Sequence, residues 1–241
     1  MALKILITND DGIYAEAMIP FVKWAKKLGD VTVIAPKVEQ SGKSHSIDIH
    51  RPFEIKQIDL VEGVRAFSVD STPADCIRYA VLGRKEHFDL VLSGINRGFN
   101  MGQDIIYSGT MGAASEAAYQ GLTAVAVSTS PDYYVKAVEH LDLVADFFKK
   151  NKLLEKHRLY NVNIPPQGKE IHITRQGPAF YSDDFLNEEG DLYKAHGKCI
   201  YQKGDDLTID THCVMNGFIS VSPMSVNRTD MELFHSLNGI K

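Results

Sequence analysis

The sequence predicts an α/β fold in which a mostly parallel sheet is flanked by helices, and three observations predict it. Short β-branched apolar runs alternate with stretches whose apolar residues recur at helical spacing. The runs are almost continuously apolar, as strands covered on both faces are. Several of them stop abruptly at polar or glycine-rich segments, and an open parallel sheet binds ligands outside the carboxyl ends of its strands. At 241 residues, with 44% of them hydrophobic, the chain can bury a sizeable core. No repeat, low-complexity tract or linker divides it. One domain is therefore expected over 1–241, with its core in about 1–150 and a C-terminal elaboration in about 160–241.

The elements follow in order. Ile5-Leu6-Ile7-Thr8 is a buried strand that delivers Asn9, Asp10, Asp11 and Gly12 to its carboxyl end. Met18, Phe21, Val22, Ala25 and Leu28 predict a crossover helix within 13–28, with Gly29 as its stop signal. Val31 to Ala35, ended by Pro36, completes a strand, helix, strand unit. Ile47, Ile49, Phe53 and Ile55 suggest hairpin-like extended structure, and residues 64–69 another strand. Thr72 reads as a helix cap with Pro73 at the first helical position, in a helix running to about Leu82. Residues 88–93 form the next strand and open into a loop from Gly94 to Gly102. Ser108-Gly109-Thr110 caps a small-residue helix over 111–120, residues 125–128 are a strand, and Val135, Val138, Leu141, Val144 and Phe148 stripe a further helix. Beyond residue 150 short extended pieces at about 160–165, 171–174, 192–201 and 218–221 alternate with polar turns, as projecting hairpins do.

Three of these strand ends fall on one edge and bring carboxylate, hydroxyl and amide oxygens together: Asn9, Asp10 and Asp11, then Ser41, then Asn96. Such a donor set, without cysteine or an evident histidine, suits a hard divalent cation such as Mg²⁺ or Mn²⁺. The Ser108-Gly109-Thr110 helix start adds backbone N–H groups, a hydroxyl and the positive end of a helix dipole, which suit phosphate. The formal net charge of -5 argues against a nucleic-acid surface, so the phosphate is expected on a small molecule. Met1-Ala2-Leu3-Lys4 leads into the first strand with no leader-like pattern, and no apolar stretch is long enough to span a bilayer. A cytoplasmic protein with no membrane partner is expected. Cys76, Cys199 and Cys213 show no paired spacing and are expected to be reduced.

Thr8-Asn9-Asp10-Asp11-Gly12, the run from Ser41 to Ile47, Ser71 to Cys76, Ser93 to Gly102 and Tyr107-Ser108-Gly109-Thr110 together resemble the SurE (survival protein E) family of metal-dependent 5'-nucleotidases. The resemblance continues through residues 161–165, 174–177 and 217–223, and so covers nearly the whole chain. It implies a Rossmann-like core, phosphomonoesterase activity on nucleoside monophosphates, and one divalent cation per subunit held by Asp10, Asp11, Ser41 and Asn96. It further implies homodimers or homotetramers in which C-terminal segments are exchanged. Lys43 and Ser44 depart from the small residues of many relatives, and Ile209-Asp210-Thr211 is a looser version of the family pattern.

The expected mechanism places the phosphate and the rest of the substrate against Asn9, Gly42, Asn96, Asn100, Ser108, Gly109 and Thr110. Asp10 and Asp11 hold the ion, and one of them orients, deprotonates or replaces the attacking water. His45 is the candidate general acid. Two other classes compete with this reading. A receiver-like signalling domain also places paired acids after its first strand, but a third acid with a lysine is missing here. A non-catalytic, Mg-dependent nucleotide sensor shares every binding feature and lacks only turnover. A dinucleotide oxidoreductase is disfavoured, because acid stands where pyrophosphate would sit.

Overall fold

The computed structural model describes residues 2–239; Met1, Ile240 and Lys241, which belong to the single domain expected over 1–241, lie outside the described residues. A nine-stranded sheet forms the centre. Its strands are β1 (Leu3–Thr8), β2 (Gly29–Pro36), β3 (Ile55–Ile58), β4 (Arg65–Val69), β5 (Leu90–Arg97), β6 (Ala124–Thr129), β7 (Leu159–Ile164), β8 (Ile171–Ile173) and β11 (Ile219–Pro223). Their spatial order is β3-β4-β2-β1-β5-β6-β7-β11-β8. The run from β4 to β7 is parallel, and antiparallel pairs occur at β3 with β4 and at β7 with β11. The sheet thus matches the α/β architecture expected from the sequence, and strands of the C-terminal half join it directly.

The alternation of side chains explains why both faces are apolar. Ile5 and Ile7 of β1 enter one core with α1 (Met18–Ala25) and α4 (Leu141–Asn151), and Leu6 enters the other with α2 (Pro73–Arg78) and α3 (Gly109–Tyr119). The chain winds outward from β1 in one direction through β2 and β4, then restarts at β5 and winds the other way. The reversal lies between β1 and β5, and the carboxyl ends of neighbouring strands diverge there into a crevice. Asp10, Asp11 and Asn96 belong to that crevice because of this topology.

Several boundaries differ from expectation. The first helix is α1 alone, shorter than 13–28, and Gly29 is a strand residue opposite Leu3; a Cβ at Gly29 would collide with the Leu3 carbonyl, so close strand approach explains the glycine. Residues 47–54 are irregular, and only β3 pairs. The supposed loop from Gly94 begins as strand: β5 runs on to Arg97, with a register irregularity against β6 between Ser93 and Asn96. The helix striped from Val135 starts only at Leu141, after a 3-10 turn over Lys136–His140. The helix begun at Pro73 changes to a π-helical turn at Tyr79–Gly83.

The C-terminal half adds α5 (Leu153–Lys156), α6 (Asp210–Met215), α7 (Met231–Leu237) and a separate antiparallel hairpin of β9 (Tyr181–Glu189) and β10 (Leu192–Cys199). Every residue of that hairpin is exposed. Asp210, buried at the start of α6, is a clasp: its carboxylate accepts the Gly102 N–H at 2.9 Å and the Gly177 N–H at 2.8 Å. No described helix is long and apolar enough to cross a membrane. The three cysteines are free thiols, Cys199 exposed and the other two buried.

Candidate active site

Gly12 makes the edge possible. It takes φ +97°, and a Cβ there would stand 3.2 Å from the Val38 carbonyl carbon, so glycine both turns the chain after the acids and lets the loop after β2 lie against it. The Gln40 N–H then donates to the Asp10 carbonyl at 2.7 Å and ties that loop to the end of β1.

Asp10 is 4% exposed and receives the Thr110 hydroxyl. Burial, the largest influence, together with the neighbouring Asp11 charge pushes its carboxyl up to about 6, against the lowering effect of the Thr110 hydroxyl and backbone N–H. Thr110 is in the first turn of α3, whose Ser108 cap accepts the Met111 N–H at 3.1 Å. Gly109 is packed on the acid so closely that a Cβ would be 2.9 Å from its Oδ2. The positive end of α3 is therefore aimed at Asp10.

Asp11 accepts the Arg97 N–H and the Tyr134 hydroxyl, each at 3.0 Å. Burial raises its carboxyl, these two donors lower it, and the charge of Glu39 raises it further. Burial and Asp11 push the Tyr134 phenol up, which keeps it a donor. Asn9 is fixed by its Nδ2 donating to the Gly12 carbonyl at 2.8 Å, and its buried Oδ1 has no donor. Asn96 donates Nδ2 to the Gly98 carbonyl at 2.7 Å, which orients its amide oxygen the other way.

The other expected residues are less convergent. Ser41 is exposed, and its hydroxyl donates to Glu39 at 2.6 Å. Gly42 takes φ +70° with nothing within 4 Å of a would-be Cβ, so it faces open space. Asn100 is half-buried and tied into the protein: its Nδ2 donates to Ser128, its N–H to Asn163, and its carbonyl accepts from Asn161 and Asn163. His45 bonds Glu116 at 2.8 Å and lines a cavity of about 340 Å³ with Ser44, Ser108, Ser115 and Arg228.

Glu39, Tyr134, Asn161, Asn163 and Glu116 are not in the sequence-derived set. Glu39 was visible as a third acid two residues before Ser41. Glu116 was visible as the one charged side chain in a helix of small residues. Tyr134 gave no local sign, since its partner is 123 residues away.

The donor set fits a hard divalent cation. Burial and mutual repulsion oppose the charges of Asp10 and Asp11, Glu39 adds a third, and the buried Asn9 oxygen has no donor. A dication relieves all of these. Among the described residues no three His, Cys, Asp or Glu side chains form a metal cluster, so neutral oxygens would complete the coordination.

A family model for "Survival protein SurE" matches residues 5–183. The "5'-nucleotidase SurE" of Clostridium beijerinckii is 37% identical over 99% of each chain. Its counterpart in Legionella pneumophila is 33% identical over 99% of this chain and 97% of that one. The crystal structure of the SurE protein from Aquifex aeolicus superposes with a TM-score of 0.79 at 30% identity, covering 97% of this chain and 98% of that one.

Proposed function

Since this chain belongs to the SurE survival-protein family, we propose that it is a 5'-nucleotidase, a metal-dependent phosphomonoesterase that hydrolyses nucleoside 5'-monophosphates to nucleoside and phosphate. One observation carries the reading: a buried carboxylate, Asp10, beside a second acid and under the positive end of α3. Negative charge is concentrated where a cation would neutralise it, and a helix start stands beside it for an anion.

Asp10, Asp11, Ser41 and Asn96 would hold one Mg²⁺ or Mn²⁺. Ser41 would have to exchange its bond to Glu39 for this role. When bound, the cation supplies Lewis-acid polarisation of a phosphoryl oxygen and a more acidic water. Thr110 keeps Asp10 oriented, and Tyr134 with the Arg97 N–H keeps Asp11 oriented. The remaining phosphoryl oxygens face Asn9, Gly42, Asn96 and the helix start Ser108 to Thr110, while Asn100 stiffens the wall through Ser128 and Asn163. As the bond from phosphorus to the attacking oxygen forms and the ester P–O bond breaks, His45 gives its proton to the leaving oxygen. Asp10 or Asp11 orients or deprotonates the attacking water, or attacks phosphorus itself.

The exposed hairpin and the exposed apolar residues of α7 support a homodimer or homotetramer with exchanged C-terminal segments. Phosphate release from AMP and GMP, with chelator and with Mg²⁺ or Mn²⁺ added back, tests the activity. Turnover lost on chelation and restored by metal is expected. Nucleotide binding without turnover would replace the enzyme with a sensor, and full turnover in metal-free protein would overturn the cation. The same panel extended to 3'-monophosphates and short polyphosphate measures the substrate range.

A further inference from the structure

The loop after β2 is anchored on both sides of His45. The Ser44 N–H donates to the Tyr107 carbonyl at 3.0 Å and its hydroxyl to the Ile106 carbonyl at 2.6 Å. Gly112 of α3 provides the seat, since a Cβ there would collide with the Ser44 carbonyl. One turn further along α3, Glu116 is 4% exposed and receives His45 Nε2 at 2.8 Å on one oxygen. Its other oxygen receives Gln120 Nε2 at 2.8 Å and Arg78 Nη1 at 3.4 Å, and Asp75 is 3.9 Å from the same guanidinium. Burial opposes the Glu116 charge, but His45, Gln120 and Arg78 together hold its carboxyl below the usual range. An ionised acceptor on Nε2 leaves Nδ1 as the ring's remaining nitrogen, and His45 lines the same cavity as Ser108.

We propose that Glu116 is a positioning residue for phosphoryl transfer: it fixes the ring plane and tautomer of His45. The proposal rests on the hydrolase reading and assigns Glu116 a role through His45, with no contact to substrate. A salt-bridge latch that served folding alone would have the same geometry, so the test must separate the two.

Steady-state turnover of AMP is measured for wild type, Glu116→Gln, His45→Ala and the double variant, with thermal unfolding and Mn²⁺ binding on each. Glu116→Gln is expected to lower kcat by about ten- to hundredfold, with KM and Mn²⁺ affinity within about twofold. In the His45→Ala background the same substitution is expected to change kcat by less than about twofold, because both act on one step. Losses that multiply in the double variant, or wild-type kcat in Glu116→Gln, would overturn the proposal. Gln120→Ala, which trims Glu116 without touching His45, is the control expected to stay within about twofold of wild type. Should Glu116→Gln not fold, Glu116→Asp keeps the charge and withdraws it from His45 by one methylene, and the same cycle is read on it. Absence of wild-type turnover overturns the hydrolase reading itself; wild-type turnover unaffected by Glu116→Gln overturns the positioning role only.

Discussion

The crevice between β1 and β5 and the hairpin β9–β10 place polar and apolar groups in opposite ways. In the crevice Asp10 and Asn9 are 4% and 1% exposed, carboxylate and amide groups that burial disfavours. On the hairpin Phe185, Leu192 and Tyr193 are 66%, 66% and 64% exposed, apolar groups that water disfavours. Each region is costly to the isolated chain, and under the proposed function each would be relieved by a partner of its own kind: an ion and a phosphate in the first, another protein surface in the second. In the crevice Asn9, Asp10, Asp11 and Asn96 are each held by a named hydrogen bond, whereas the hairpin strands are exposed throughout.

The largest effect should come from removing the crevice's charge. Asp10→Asn is expected to reduce phosphate release by about 10³-fold or more while the unfolding midpoint in chelator stays at or above wild type, because burial and Asp11 both oppose the charge that is lost. Near wild-type, metal-dependent turnover would end the site assignment. Next, Gly112→Val drives a side chain into the Ser44 carbonyl and should cost about tenfold or more in kcat and about 1–3 kcal/mol in stability by chemical denaturation. Unchanged kcat would mean that the loop's seat is irrelevant to the crevice.

The hairpin should respond in the reverse pattern. Phe185→Ser with Leu192→Ser is expected to lower the molar mass in light scattering while a monomer's stability moves by less than about 0.5 kcal/mol, as for exposed positions generally. An unchanged mass would remove the hairpin from the assembly. The smallest effect is a pH dependence. Because the folded state holds the Glu116 carboxyl below its unfolded value of 4.5, its stabilisation is present above that value and is lost as pH falls through the folded value. The stability gap between wild type and Glu116→Gln should therefore narrow on acidification below about 4.5. A gap that widens instead would show that Glu116 is not held ionised.

What the sequence revealed of this comparison follows from locality. β1 and its acids were legible because Ile5, Leu6 and Ile7 form an unbroken apolar run that ends at Asn9, and the Thr72 and Ser108 caps because the backbone N–H groups that donate to them lie three residues on. β9 was not legible: Tyr181 to Glu189 has no buried face, so nothing selects an alternating pattern. The register of β5 past Gly94 was hidden for a related reason, since that glycine answers the Val127 carbonyl on a neighbouring strand and reads locally as a loop residue. Asn161 and Asn163 were read as strand residues, but their clamp on Asn100 spans 61 and 63 residues. Ser41 was chosen for its oxygen, and the structure shows that oxygen engaged with Glu39, a partner two residues away whose acid was in plain view.

The Asp210 clasp has a consequence for how the chain is made and used. Residues beyond 200 carry the one carboxylate that ties Gly102, at the far end of the segment leaving β5, to Gly177. Asp210 must therefore be made before Gly102 and Gly177 can be tied together, and a chain shortened upstream of α6 would lack that tie. A residue more than a hundred positions downstream of β5 thus fastens the segment that leaves it, so the order of that segment waits on chain far along the sequence.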